Sequence, residues 1–199
     1  MGRTREFDHE TVLDRAGELF WRFGYDTVTV QDLEISTGIG RGSLYNAFSD
    51  KEGLFVAALD RYVEKYGSAP FRHLNDHDVA KGVRLMLDAI VERMSDPSHP
   101  PGCLLTNTSL ILGTGSSRID ANVADKIKTM EALLEEAIAR ARAEGQIPVD
   151  ADPRQLARFY CAVVQSLGVT HKTFGETDVL HDIVVVAMRG WPGRRLASN

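Results

Sequence analysis

Only two cysteines, Cys103 and Cys161, stand in the 199 residues, and they lie far apart in the chain. That is too few for a disulfide scaffold. No apolar run reaches the ~18 residues a membrane span requires. The opening Met1-Gly-Arg-Thr-Arg-Glu-Phe-Asp8 lacks the apolar middle of a signal peptide. The expectation is a cytoplasmic protein without a membrane partner. There is also no basic tail or Lys/Arg block: 23 basic residues face 28 acidic ones, for a net charge of −5. Residues 1–66 carry eight Lys/Arg against twelve Asp/Glu. Bulk charge therefore argues against indiscriminate nucleic-acid binding, and any DNA contact must come from the placement of a few cations. Catalytic signatures are missing too. No HExxH, nucleophile elbow or pair of catalytic carboxylates occurs. Gly113-Thr-Gly-Ser-Ser117 has neither the preceding strand nor the Gly-Lys-Ser/Thr of a phosphate loop. Neither catalytic residues, nor a cofactor, nor a metal is expected, and the chain does not read as an enzyme.

What is present is an ordinary globular composition, 43% hydrophobic and 26% charged, with enough residues to bury a core. The apolar content excludes disorder. Helical periodicity runs nearly throughout. Val12, Leu13, Ala16, Leu19, Phe20 and Phe23 share one face of a helix over 9–23, between a capping Asp8 and a terminating Gly24. Thr29-Val-Gln-Asp32 has the form of a capping box and opens a short helix that Thr37-Gly38 ends. A second short helix spans about 41–48. Asp50 then caps a longer one with Leu54, Phe55, Ala58, Leu59, Tyr62 and Tyr66 inside. Gly67-Ser-Ala-Pro70 is the first boundary, dividing a domain of residues 1–66 from one of 67–199. Helices over 79–94, 120–144, 153–174 and about 178–189 follow, with an apolar run at 103–112 and breaks at Asp96–Gly102 and Gly145–Pro148. Val184-Val-Val186 has strand character but nothing nearby to pair with. The fold class is all-α, with about nine helices.

Two short helices around a Gly-containing turn have helix-turn-helix geometry, in which the second helix enters the major groove and its first residues meet base edges. Leu33 and Ile39 are placed to pack the pair, and Leu44 and Phe48 to face the core. Arg41, Gly42, Ser43, Tyr45 and Asn46 are left outside. Arg41 suits a bidentate contact to guanine and Asn46 one to adenine. Thr29 and Tyr45 offer hydroxyls to phosphates, and Lys51 adds a cation at a helix start.

The run Thr29-Val-Gln-Asp-Leu33 … Thr37-Gly-Ile-Gly-Arg-Gly-Ser-Leu-Tyr-Asn-Ala-Phe-Ser-Asp-Lys-Glu-Gly-Leu-Phe55 resembles the N-terminal domain of the TetR/AcrR family of transcriptional regulators. The likeness covers about residues 9–60. It implies a three-helix DNA-binding head in which Thr29, Tyr45 and Lys51 hold phosphates and Arg41, Gly42 and Ser43 face bases. It also implies a C-terminal helical domain for effector binding and dimerisation. The sequence departs from the family at Glu34, where a small or apolar residue is usual, and at Ile35, where a polar one is. That departure implies a slightly rotated helix or an unusually packed Ile35.

From the resemblance, the protein is a homodimeric, ligand-responsive regulator, a repressor on a palindromic double-stranded operator. The last two helices would form a four-helix bundle with a second copy. Their apolar excess agrees, and Phe159, Val163, Leu167, Ile183, Val184 and Ala187 are the interface candidates. An effector pocket would be lined by Leu85, Leu104, Leu110, Met130 and Phe159. Asn107, Thr108, Gln165 and His171 would be its polar anchors. No cationic cluster lies on those faces, so a strongly anionic ligand would go unpaired, and a small apolar or weakly polar effector is expected.

Cys103 follows Pro100-Pro-Gly102 and falls near a helix start, where a thiol gains reactivity. Pro-Gly-Cys-Leu-Leu-Thr-Asn107 is also similar to a TetR subgroup with cysteine sensors, which makes a redox- or electrophile-sensing repressor the alternative. The more ordinary reading of Cys103 is a buried small hydrophobe, and for Cys161, among Phe159, Tyr160, Val163 and Val164, that reading is stronger still. His73 and His77 have metal-compatible spacing but make half a site, and a solvated loop is expected there.

Overall fold

The computed structural model describes residues 8–111 and 117–193. Among them there is no strand. Ten α-helical segments follow one another, the fifth a single turn, so nine helices remain when that turn is set aside. The chain divides into two compact units, Met1–Gly67 with Leu104–Val123, and Ser68–Cys103 with Ala124–Asn199. The grouping is not linear in the chain. The Gly-rich segment that begins at Gly113 lies, except for Ser117, outside the described residues, as do residues 1–7 at the N-terminus.

The first unit holds α1 (His9–Phe23), α2 (Val30–Thr37), α3 (Arg41–Phe48), α4 (Lys51–Tyr62), α7 (Leu104–Ser109) and the start of α8 (Ser117–Ala143). Asp8 caps α1 by accepting the N–H of Glu10 at 3.2 Å. The predicted apolar face of α1 is buried at Val12, Ala16 and Phe20, and Phe55, Ala58 and Leu59 of α4 are buried beside it. Phe20 meets Phe55 edge-on with ring centroids 4.9 Å apart, and Trp21 meets Tyr62 at 4.9 Å. Such pairs contribute about 0.5–1.5 kcal/mol each beyond area burial. Arg61 of α4 bonds Glu10 at 2.8 Å and Asp14 at 3.2 Å. This cross-tie is partly solvated and fixes direction more than it adds stability. α7 packs on α1 and α4 and buries Leu104, Thr106 and Thr108.

Gly67-Ser-Ala-Pro70, read as a boundary, is not a loop. A π-helical turn (Val63–Gly67) runs into α5 (Ser68–Phe71) and a 3₁₀ turn (Arg72–Asn75). Pro70, buried within this continuous helical run, has no N–H to donate to the turn before it.

In the second unit α6 (Val79–Met94), the body of α8, α9 (Pro153–Phe174) and α10 (Thr177–Arg189) enclose one apolar core. Asp78 caps α6 through the N–H of Lys81 at 3.1 Å. Asp152 caps α9 through Arg154 and Gln155, with Pro153 at the first helical position as expected. Tyr160 is fully buried and donates its hydroxyl to the carbonyl of Ala187 at 3.1 Å, tying α9 to α10. Burial pushes its phenol up to about 12. Val184-Val-Val186 is helical within α10.

Candidate nucleic-acid interface

The helix-turn-helix is built from local signals. Thr29 precedes α2 with extended backbone. Its hydroxyl oxygen accepts the N–H of Asp32 at 3.2 Å, and the Asp32 carboxylate accepts the N–H of Thr29 at 2.8 Å. The Thr29 hydroxyl also donates to that carboxylate at 2.6 Å. These bonds hold the Asp32 carboxyl below its usual range. They also commit the hydroxyl proton of Thr29, which leaves it an acceptor toward other partners. Leu33 and Thr37 turn inward. Gly38 ends α2 in the left-handed region at φ 76°, donating to the carbonyl of Glu34 at 2.9 Å, a conformation that favours glycine.

α3 is anchored by Leu44, which is 2% exposed. Phe48 is only half-buried, its ring edge-on to His9 with centroids 5.7 Å apart. Arg41, Gly42, Ser43 and Asn46 are exposed and Tyr45 is half-buried. The Arg41 guanidinium rests 5.2 Å over the Tyr45 ring, a cation–π contact that restricts the long side chain. The first turn of α3 thus offers a fork of donors at Arg41 beside small Gly42 and Ser43, which let a partner come close.

The α3–α4 connection is tight. Ser49 adopts φ 72°, the one non-glycine with positive φ among the described residues. The N–H of Asp50 closes on the carbonyl of Phe48 at 2.9 Å, which makes Ser49 the centre of a strained γ-turn. A Cβ on Gly53 would lie 2.0 Å from the Phe48 carbonyl oxygen, so glycine alone admits this approach. Asp50 caps α4 by accepting the Gly53 N–H at 2.7 Å. Both Asp50 oxygens are gripped by Arg118 at the start of α8, at 2.7 and 2.6 Å. The Gly53 N–H, followed by Arg118, holds the Asp50 carboxyl below the usual range. Asn122 adds a bond to Asp60 at 3.0 Å. Lys51, next to Asp50, lays its ammonium 4.3 Å over the ring of Tyr25. Burial there pulls the ammonium pKa down, against the opposing pull of Asp26 and Asp32.

Ile35 does not pack. It is 76% exposed, while Leu33 is 1% exposed, and the departure at Glu34 has a different cause. The Glu34 carboxylate, half-buried, accepts the backbone N–H of Arg41 at 2.6 Å. Sequence reasoning missed this role, the Arg118 grip, the Tyr25 platform and the Ser49 turn. For Glu34 the departure from the family pattern was the one signal. For Arg118 there was none, because the partners are 68 residues apart.

The residues suggested for an effector fall in both units. In the first, Leu104 and Thr108 are buried, Leu110 is 64% exposed, and both amide atoms of Asn107 are buried without a hydrogen-bond partner among the described residues. In the second, Leu85 and Gln165 are half-buried, Met130 and His171 buried, and Phe159 49% exposed. His171 accepts the Gly102 N–H at Nδ1, 3.0 Å away, and burial, with the nearby Arg93, lowers its pKa. Cys103 is half-buried, one residue before α7, whereas Cys161 is buried and its thiol is pushed up by that burial. His77 is 94% exposed at its side chain, with Glu144 3.7 Å away. Among the described residues no group of His, Cys, Asp or Glu is arranged to hold a metal.

The interface candidates need correction. Leu167 and Val184 are 0% exposed, Ala187 5% and Val163 8%, and all four belong to the core of their own protomer. Ile183 is half-buried, and Phe159 remains outside. Two-sided apolar helices conceal in sequence which side faces inward. The exposed apolar side chains of α9 and α10 are Phe159, Val169, Phe174 and Val186.

Comparison with known proteins agrees with this geometry. The pattern of bacterial regulatory proteins of the tetR family matches residues 12–58, and the tetracyclin repressor-like C-terminal domain matches residues 80–187. The chain is 29% identical to the HTH-type transcriptional repressor ComR of Escherichia coli K12, over 96% of this chain and 92% of that one. It is 30% identical to the uncharacterized HTH-type regulator YezE of Bacillus subtilis 168, over 94% of this chain and 98% of that one. A cysteine-substituted form of the TetR family regulator CifR, solved with a 26-base-pair operator, superimposes with a TM-score of 0.86 at 32% identity. That match covers 96% of this chain and all of the other. Two domains in the right order, a helix-turn-helix with its turn glycine in place, and relatives aligned nearly end to end lead to one conclusion. The chain belongs to the TetR family of bacterial transcriptional regulators.

Proposed function

We propose that the protein is a homodimeric repressor that binds a palindromic operator through α3 and leaves it when a small apolar or weakly polar effector binds. Residues 1–66 form the DNA-reading domain and residues 67–199 the effector and dimerisation domain. The observation that carries the reading is the surface of α3: Leu44 pins the helix from below while Arg41, Gly42, Ser43 and Asn46 stand exposed on it. Arg41 and Asn46 read base edges; Tyr45, Lys51 and the Thr29 oxygen face the phosphate backbone. Because Thr29 has spent its proton on Asp32, its phosphate contact requires the backbone N–H groups at the start of α2 or a shift of that proton. ComR, a repressor, and CifR, solved on operator DNA, support the assignment.

Dimerisation uses the apolar side chains of α9 and α10 that the protomer leaves outside, Phe159 and Val186 foremost. Effector and DNA prefer different spacings of two reading heads, so each weakens the other by the same factor. Asn107, with an amide that is buried and unbonded, supplies the polar anchor that orients an otherwise apolar ligand. Selection of bound duplexes from a randomised pool tests the reading. Enrichment of an inverted repeat supports it, and recovery of unenriched sequence refutes it.

A second reading rests on Cys103, which unlike Cys161 is not enclosed. In it an external peroxide oxidises the thiol and is itself reduced, or an electrophilic carbon adds to the sulfur, and DNA is released. Release by oxidant that dithiothreitol reverses and Cys103→Ser abolishes supports this reading; release unchanged in Cys103→Ser removes it.

A further inference from the structure

α3 is preceded by Gly40, which has no side chain to close the free N–H groups of the first turn. Ser, Thr, Asp or Asn ordinarily does so. An acceptor for another of these groups comes from α2: Glu34 Oε1 takes the N–H of Arg41, the first residue of α3, at 2.6 Å. The same residue is fixed at its backbone, where its carbonyl accepts the Gly38 N–H that closes the turn. One residue therefore ends α2 with its carbonyl and starts α3 with its carboxylate.

We propose that Glu34 is a positioning residue that determines base specificity. It holds the backbone of Arg41, and so fixes the point from which the guanidinium sets off toward a base edge. It also places a negative charge at the helix end that enters the groove. The charge is favourable to the free helix and unfavourable to every DNA sequence alike, so it suppresses non-specific binding. The hydrogen bond, in contrast, acts on the one base pair that Arg41 reads. The inference rests on the reading of α3 as the base-contacting helix.

The two contributions separate by mutation. Glu34→Gln keeps an acceptor oxygen and removes the charge. Affinity for the selected operator and for a scrambled duplex should rise by the same factor, roughly two- to fivefold. Glu34→Ala removes both, and discrimination at the base pair read by Arg41 should fall about fivefold or more. Adding Gly40→Ser to Glu34→Ala supplies a local cap for the N–H of Gly42 or Ser43, which steadies the helix start without restoring the bond on Arg41. Gly40 has φ −72° and ψ 158°, open to any residue. The double variant should stay poorly discriminating, because its new cap does not reach the Arg41 N–H; recovery of discrimination by it would show that Glu34 acts only as a structural cap. If Glu34→Ala alone does not fold, Glu34→Gln and the double variant carry the comparison. Uniform loss of affinity with unchanged base preference would overturn the proposal and leave Glu34 a structural cap. Arg41→Ala is the control. If it leaves base preference intact, the reading of α3 itself has failed; if it relaxes preference while Glu34→Ala does not, the role of Glu34 alone has failed.

Discussion

The ammonium of Lys51 lies 4.3 Å over the ring of Tyr25, and that ring is itself braced edge-on by Phe55 with centroids 5.1 Å apart. The cation at the start of α4 is thus seated on the aromatic core of the DNA-reading head. Lys51→Ala should weaken all duplexes alike and reduce the salt dependence by about one phosphate contact. Tyr25→Leu leaves the charge but frees the side chain, and should weaken binding less, again without changing base preference. Fluorescence anisotropy titrations across a salt series measure both. Equal loss in the two variants with an unchanged salt slope contradicts the arrangement.

The γ-turn at Ser49 and the approach at Gly53 give opposite expectations. Ser49→Gly relieves a positive φ and should leave stability unchanged or raise it by up to about 1 kcal/mol. Gly53→Ala forces a Cβ against the backbone oxygen of Phe48, 2.0 Å away, and should destabilise by about 1–3 kcal/mol or more. Urea unfolding of the two variants decides, and a neutral Gly53→Ala would show that the α3–α4 junction yields.

How far the sequence revealed this structure follows from how local each feature is. The capping box at Thr29 and Asp32, the turn at Gly38 and the inward Leu44 are set by residues within a few positions, and all were legible. So were the caps at Asp8, Asp50 and Asp152. The Arg118–Asp50 grip and the membership of 104–123 in the first unit depend on where distant segments meet, and no periodicity encodes that. α10 shows the same limit from another side. Its apolar residues surround the helix, and only packing reveals that Val184 is inside and Val186 outside.

His171 is held neutral by burial and accepts the Gly102 N–H just before Cys103. Its folded pKa is lowered below 6.5, so the unfolded chain binds the proton first and stability rises with pH across that window. Melting temperature should therefore fall as pH drops from about 6.5 toward the lowered folded pKa, as Nδ1 gains a proton and its acceptor role is lost. His171→Gln should flatten that slope. A wild-type melting temperature equal at pH 7.5 and 5.5, after correction for the carboxylates by the variant, contradicts this.

Assembly has a matched pair of probes. Val186→Glu and Phe159→Glu place charge on exposed positions and should give folded monomers by light scattering. Leu167→Glu buries a charge in the protomer's own core, where Leu167 is 0% exposed, and should unfold the chain. Folded monomers from Leu167→Glu would contradict the assignment of that residue to the core, and dimers retained by both surface variants would place the interface elsewhere.

The central claim, that α3 reads sequence while the start of α4 holds the backbone, meets its most direct test in the binding profile of Arg41→Ala against that of Lys51→Ala on a complete set of single-base operator variants. Arg41→Ala should lose ~1–3 kcal/mol on the preferred operator and become indifferent to one base pair in each half-site. Lys51→Ala should lower every affinity by a common factor. Two profiles of the same shape would contradict the division of labour between the helices.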